Sequence, residues 1–419
     1  MFSHILNVLS MKKYLIIIAG LCIMLNACKL NAQTNSQDSQ WRGPGRDGVF
    51  DETGLLQKWP ADGPQLLWKF EGLGDGFTSA VISNKKLYIT GLSNDKLMLF
   101  VFDLNGQLLT KKELSEEWKQ GRDGPRSTVR INDGKLYLYS AFGKLFCLDE
   151  TTLGEVWTKD VLIDFDGQNI PWGFSESPLI IDEKLFISPG GATNNMIALN
   201  KNTGELIWSS PGEGTISAYC SPQYIDDQSV PIVVTSMFDY IIAWNVNTGE
   251  KLWSFPRTSQ YNNHPNTPLY YNNMIFSTTG DGAPAVMLRL TNGGKNVEQV
   301  WQNDEVDTQI GGAVKTGNYI YASGHKNRYW FCIDWNTGIT KYKIRDIAAC
   351  NVIFADGLLY CYTERGTMNL VKPNPDKFEL ISSFNITLGD GPHFAHPVIH
   401  DGVLYIRHGD ALMAYKVNL

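Results

Sequence analysis

A pattern of eleven residues recurs along this chain and limits its possible folds more than any other feature. It is clearest at Ala198-Leu199-Asn200-Lys201-Asn202-Thr203-Gly204-Glu205-Leu206-Ile207-Trp208, and its copy is Ala243-Trp244-Asn245-Val246-Asn247-Thr248-Gly249-Glu250-Lys251-Leu252-Trp253. A third copy runs from Cys147 to Trp157 and a fourth from Cys332 to Tyr342, with degenerate versions at 102–106, 288–301 and 369–381. Each reads as a strand, a tight turn and a second strand, with Asn-Thr-Gly supplying the positive φ that the turn requires. Another hairpin precedes each copy, as at 129–138 and 398–406, and two hairpins make a four-stranded unit.

The leading strands start at Val81, Val129, Leu179, Gln223, Leu269, Val314, Val352 and Val398, at spacings of 38 to 50 residues. This predicts an all-β fold, an eight-bladed β-propeller of four-stranded antiparallel blades. A sheet that is apolar on both faces cannot stand alone, whereas a ring of such sheets buries both faces between neighbours. Trp157, Trp208, Trp253, Trp301 and Trp68, with Tyr342 as a substitute, fall at equivalent outer-strand positions and read as packing between blades. The last unit ends at Ala411–Val417 without an outer strand. Gln65–Phe70, near the other end of the chain, supplies one, so the eighth blade is expected to close with the N-terminal strand and leave no open edge.

The segment ahead of the ring reads as an address. Lys12 and Lys13 precede an apolar stretch, Tyr14 to Leu25, that is too short to span a bilayer. Leu25-Asn26-Ala27-Cys28 has the form of a bacterial lipobox, which makes Cys28 the lipidated first residue of a periplasmic or outer-membrane lipoprotein. The alternative is cleavage after Ala32 and soluble secretion. The expected organisation is therefore 1–27 upstream extension and signal peptide, 28–40 flexible tether, and 41–419 a single propeller. No acidic pair follows Cys28, which favours the periplasmic face. The cysteines left after Cys22 and Cys28 are scattered, and read as small buried hydrophobes rather than a disulfide framework.

Composition excludes other classes. Hydrophobic residues are 43% of the chain and charged residues 19%, too much apolar material for disorder. A formal net charge of −7, with no basic run longer than a pair, argues against a nucleic-acid partner.

The repeat Ala-x-Asp-x-x-Thr-Gly-x-x-x-Trp is similar to that of the quinoprotein-type (PQQ-like) propellers. Trp41-Arg42-Gly43-Pro44-Gly45-Arg46-Asp47-Gly48 resembles the opening segment of a bacterial secreted branch of that family. The resemblance spans 41–419 and is specific for fold rather than function. One reading it implies is a PQQ-dependent dehydrogenase, with quinone and calcium in the central channel between a tryptophan and a disulfide of adjacent cysteines, and an aspartate as base. This chain has no Cys-Cys pair, and its acidic Asp164-Phe165-Asp166-Gly167 lacks the spacing of a calcium loop. A second reading, favoured here, is a non-catalytic envelope scaffold, monomeric and without a cofactor or metal, similar in architecture to the propeller lipoprotein of the outer-membrane assembly machinery. A third is a polysaccharide-active enzyme using His, Tyr and Arg at the channel mouth.

The segments leading into the first strands should converge on one end of the axis. They supply the candidate ligand site: Arg126, Trp172, Glu176, Tyr219, His264, Gln309, Asn351 and His396. Its expected occupant is an envelope protein or a glycan. Two plainer alternatives stand beside this: Arg126 and Glu176 as an ion pair stitching adjacent blades, and the histidines as hydrogen-bonding loop residues. The hairpin tip Gly324–Trp330 and the charged stretch 113–119 read as solvated surface, the latter as a loop or short helix.

Overall fold

The computed structural model describes residues 39–419. The expected signal peptide, the lipidation site Cys28 and most of the tether lie outside the described residues. Eight four-stranded antiparallel sheets are arranged as a propeller ring. Seven blades are continuous in sequence, their first strands starting at Val81, Arg130, Leu179, Gln223, Leu269, Ala313 and Cys350. The eighth combines Val398–His400, Val403–His408 and Ala411–Lys416 with Leu66–Glu71, which pairs antiparallel to the last of these through Trp68↔Ala414 and Phe70↔Leu412. The ring is thus closed by its two ends.

The repeat motif has a precise structural meaning. In each full copy the outer-strand aromatic faces the small residue that begins the motif: Cys147↔Trp157, Ala198↔Trp208, Ala243↔Trp253 and Cys332↔Tyr342. The register shifts by one residue immediately afterwards, a bulge that bends the strand and aims the ring at the next blade. The indole N–H of Trp157 then donates to Lys201 O (2.9 Å), that of Trp208 to Val246 O (3.0 Å), that of Trp301 to Trp335 O (3.0 Å) and that of Trp68 to Leu104 O (2.9 Å). Every one of these carbonyls lies in the outer turn of the following blade, so each tryptophan is both apolar filler and a hydrogen-bonded staple.

A second set of links runs around the axis. Ser79 N–H donates to Thr128 Oγ1, Thr128 N–H to Ser177 Oγ, and Ser177 N–H to Ser221 Oγ, at 3.1, 3.0 and 2.9 Å. Thr267 Oγ1 donates to Ser221 O, Gly312 N–H to Asn266 Oδ1, and Val352 N–H to Gly311 O. Asn351 Nδ2 donates to Ala395 O, and Ser79 Oγ closes the circle on His396 O. This hoop ties each blade to the next at or just ahead of the start of its first strand, and all its donors are withdrawn from water.

Residues 39–56 do not hang free. Ser39 forms a two-way bridge with Ile131, so the chain is already held within the expected tether. From there it crosses the channel. The buried Arg46 guanidinium donates to Ser177 O and Pro222 O at 3.1 Å and to Pro178 O, while Arg42 donates to Gly311 O and Ala313 O. Val49 then bridges Phe354 and Leu55 bridges Asn418. The Trp-Arg-Gly-Pro-Gly-Arg segment is therefore a plug, and both of its arginines have positive φ, 59° and 56°.

The stretch 113–119 differs from expectation. The outer strand Leu108–Glu116 takes in its first four residues, and Trp118 beyond it is buried with its indole N–H on Gly121 O. Lys96 pairs with Glu116 across the strands, which prolongs the ladder beyond the usual length of a blade. Among the described residues no helix is long and apolar enough to cross a membrane.

Candidate functional site

Because neighbouring strands alternate in direction, the loops that lead into each first strand share an end of the ring with the turns between second and third strands. Together they surround a cavity of about 370 Å³ on the axis. Phe77, Trp172, Tyr219, Tyr261, Ile310 and Phe394 make its walls predominantly apolar, and Arg122, Arg126, Lys326 and Asp281 supply its charges. A narrower chamber of about 120 Å³ continues below, where Trp41 of the plug meets the ring of His396 edge-on at 5.3 Å. The channel thus narrows like a funnel towards Trp41 of the plug.

Four of the eight candidates line the upper cavity: Arg126, Trp172, Tyr219 and Gln309. Tyr219 is held at φ 71°, a strained position that turns its ring against Trp172 at 6.0 Å between centroids. Burial raises its hydroxyl to about 12. Arg126 lies over the rings of Phe77 and Trp118 at 5.7 and 5.6 Å. It donates to the carbonyls of Gly124, Gly121 and Arg122, which uses three of its five N–H groups. Burial lowers it to about 10, with Glu117 and Tyr219 acting in the opposite direction, so it stays cationic at neutral pH.

The other four sit elsewhere. Glu176 is turned into the protein, where its two oxygens accept from Ser188 N and Ser188 Oγ at 2.6 and 3.0 Å. Burial raises it to about 7 against those bonds, and its charged neighbour is Arg46, not Arg126, so the expected Arg126–Glu176 ion pair does not form. His264 is buried, its Nε2 3.1 Å from Phe238 O, and burial followed by the charge of Arg257 lowers it to about 3. Asn351 belongs to the hoop. His396 lies in the lower chamber, held well below the usual histidine range by burial and Arg42. His264 and Asn351 thus serve blade-to-blade contacts, Glu176 a contact within its own blade, and His396 a contact with the plug.

Sequence reasoning missed Arg122, Tyr261 and Asp281, and read His325 and Lys326 as part of a solvated tip. Arg122 and Tyr261 stand on longer connections between blades. Asp281 and the His325-Lys326 tip stand on turns between second and third strands, and that alternation of direction was the available signal. Lys326 Nζ bridges to Asp281 at 2.7 Å, and Gln309 Nε2 donates to the other carboxylate oxygen at 2.6 Å. Arg122 is exposed, lies over Phe394 at 4.9 Å and has no ion pair among the described residues.

A calcium–quinone pair needs free oxygen donors beside the cavity. Glu176 is occupied by Ser188, and Asp281 by Lys326 and Gln309. Asp307 accepts from the backbone of Asp281, Lys326 and Asn327. Asn266 has its oxygen on Gly312 and its nitrogen on Thr278 and Thr308. The five described cysteines are all free and buried, with no adjacent pair. These four acid and amide side chains are thus held by protein donors, while Asn263 also lines the cavity. The one cluster of potential metal ligands among the described residues, Glu52, His400 and Asp401, lies at the turn after the eighth blade's first strand, and Glu52 already accepts from the backbone of Asp401 and Gly402.

Comparison with known proteins gives a consistent relationship. A family model described as outer membrane protein assembly factor BamB matches residues 59–223 and again 182–374. A quinoprotein ethanol dehydrogenase of Pseudomonas aeruginosa is 29% identical over 85 residues, 20% of this chain. That alignment spans only 13% of the dehydrogenase, and the corresponding one with the Pseudomonas putida enzyme spans 17%. Among solved structures, BamB from Moraxella catarrhalis superposes with a TM-score of 0.62 at 13% identity, covering 84% of this chain and 99% of that one. The quinohemoprotein alcohol dehydrogenase of Comamonas testosteroni gives 0.65 at 12% identity, covering 91% and 80%. At these identities the structural likeness establishes the fold alone.

Proposed function

The chain belongs to the family described as outer membrane protein assembly factor BamB, and from that membership we propose that it is a non-catalytic scaffold of the cell envelope that binds a protein partner during outer-membrane protein assembly. The observation that carries this reading is the lining of the funnel. Its one acid, Asp281, is engaged by Lys326 and Gln309, and Trp41 of the plug lines its narrow end, so with His325 at its rim it offers a mainly apolar and cationic binding surface. The histidines nominated for glycan chemistry, His264 and His396, lie outside the mouth. The leader with Cys28 supports export and tethering to a membrane by lipid, with the ring on the periplasmic side.

Depletion of the protein in its own cells tests this reading. The expected result is a fall in folded β-barrel proteins in the outer membrane, restored by the wild-type chain. Unchanged levels of those proteins after complete depletion would refute it.

A further inference from the structure

The funnel is lined by more positive than negative charge, although the chain as a whole is acidic. Among the described residues Arg126 keeps two N–H groups that no protein oxygen takes, and Arg122 beside it has no carboxylate partner. The only acid in the upper lining, Asp281, is neutralised by Lys326 on the far wall. A low-dielectric cavity with surplus charge of one sign concentrates ligands of the opposite sign, and the paired arginines suit a carboxylate. Between them and Lys326 the wall is aromatic and aliphatic, and much of its polarity is already used: Gln309 is bound to Asp281 and Ser175 Oγ to Tyr219 O. A sugar would lose the hydration of its hydroxyls there with few partners in exchange, whereas an apolar body carrying one carboxylate matches both parts of the lining.

The shape decides what carries that carboxylate. The funnel narrows inward from about 370 to about 120 Å³ towards Trp41 of the plug, a taper that suits a chain end better than a loop. A surface groove of about 360 Å³ leads away from the mouth, sharing Lys326 with it and running along Gly282, Ala283, Val306 and Asn327. Asp304 in this groove is exposed and has no ion pair among the described residues. A compact free acid would leave the groove unused, while a polypeptide end would fill the funnel with its last residue and the groove with those before it.

We propose that the funnel captures the C-terminus of a partner polypeptide, its terminal carboxylate on Arg122 and Arg126, its apolar or aromatic last side chain between the rings of Trp172, Tyr219 and Phe394, and a preceding basic residue beside Asp304. This deepens the scaffold reading and rests on it for the identity of the partner as a protein.

Calorimetric titration of the mature chain with acetyl-Gly-Lys-Ala-Gly-Phe tests the site, with the same peptide as its C-terminal amide, N-acetyl-phenylalanine and a hexuronate disaccharide as comparison arms. The free-acid peptide is expected to bind saturably, the amide at least about tenfold more weakly, and N-acetyl-phenylalanine about tenfold more weakly through loss of the groove. Arg122→Ala is expected to reproduce the loss seen with the amide at unchanged thermal stability. It is the informative variant, because Arg126 also pins the 121–124 loop. Equal binding of acid and amide overturns the proposal, as does N-acetyl-phenylalanine binding as tightly as the peptide, stronger binding of the disaccharide, or no saturable binding of the peptide up to about 1 mM. Failure here with a normal depletion phenotype would remove the terminus-capture site and leave the scaffold standing. Peptide binding without any assembly phenotype would do the reverse.

Discussion

The ring of Trp208 lies so close over Gly249, in the turn of the next blade, that a β-carbon at 249 would sit 2.7 Å from the indole. The same approach joins Trp157 to Gly204, Trp301 to Gly338 and Trp68 to Gly106. The glycine and the tryptophan of the repeat are thus partners across a seam, not within one hairpin. A residue at the turn must combine positive φ, 73° at Gly249, with the absence of a side chain.

Gly249→Ala is therefore expected to destabilise the ring by about 2 kcal/mol or more, through the left-handed backbone and the clash together. Gly154→Ala should cost less than about 1 kcal/mol, because Gly154 has no positive φ and meets no aromatic ring. Urea denaturation distinguishes the two. In a Trp208→Ala background the cost of Ala at 249 should shrink to its backbone part, the coupling expected of contacting residues.

Arg46→Lys keeps the charge of the plug but loses the planar fork that reaches Ser177 O, Pro178 O and Pro222 O. A loss of about 2–4 kcal/mol is expected from carbonyls left unsatisfied, with faster proteolytic cleavage between residues 39 and 58. Wild-type protease resistance in this variant would show that the plug is held by other contacts.

Glu176 sets a pH dependence. Burial raises its carboxyl from 4.5 to about 7, so the folded state holds the proton more tightly than the unfolded chain. Its contribution is complete below about 4.5 and is lost as pH rises through about 7. His264 acts on the other flank: its value falls from 6.5 to about 3 on folding, so its contribution is present above about 6.5 and lost as pH falls. Thermal melts of Glu176→Gln should lose part of the decline between pH 5 and 8 that the parent shows, while the acid limb persists.

Removal of the chain after His408 takes away the strand Ala411–Lys416, and with it the only ladder among the described residues that holds Leu66–Glu71. Both open edges of the ring would then be exposed. The expected result is aggregation or loss of a single cooperative transition, read by light scattering and calorimetry.

The architecture was legible in the sequence because it is written repeatedly. Val81, Leu179, Gln223, Leu269 and Val398 begin first strands as expected, and Arg130, Ala313 and Cys350 lie within two residues of the expected Val129, Val314 and Val352. The closure at Trp68 followed from an outer strand missing at one end and present at the other. The site was half legible. Arg126, Trp172, Tyr219 and Gln309 reach the cavity because the repeat places their segments at its mouth. His264 and Asn351 come from equivalent segments but point into the seams, and Glu176 turns into its own blade; side-chain direction at a loop is set by spatial neighbours, which a one-dimensional register does not contain. The plug was invisible for the same reason: Arg42 and Arg46 find their acceptors more than a hundred residues away.

The account turns on whether the funnel binds without doing chemistry. The most direct measurement is reconstitution of the mature chain with PQQ and calcium, followed by spectroscopic titration of the quinone and by dye reduction with ethanol as donor. With Glu176, Asp281, Asp307 and Asn266 committed to protein donors, the expected result is no calcium-dependent quinone uptake and no alcohol-dependent reduction. Stoichiometric uptake accompanied by turnover would contradict it.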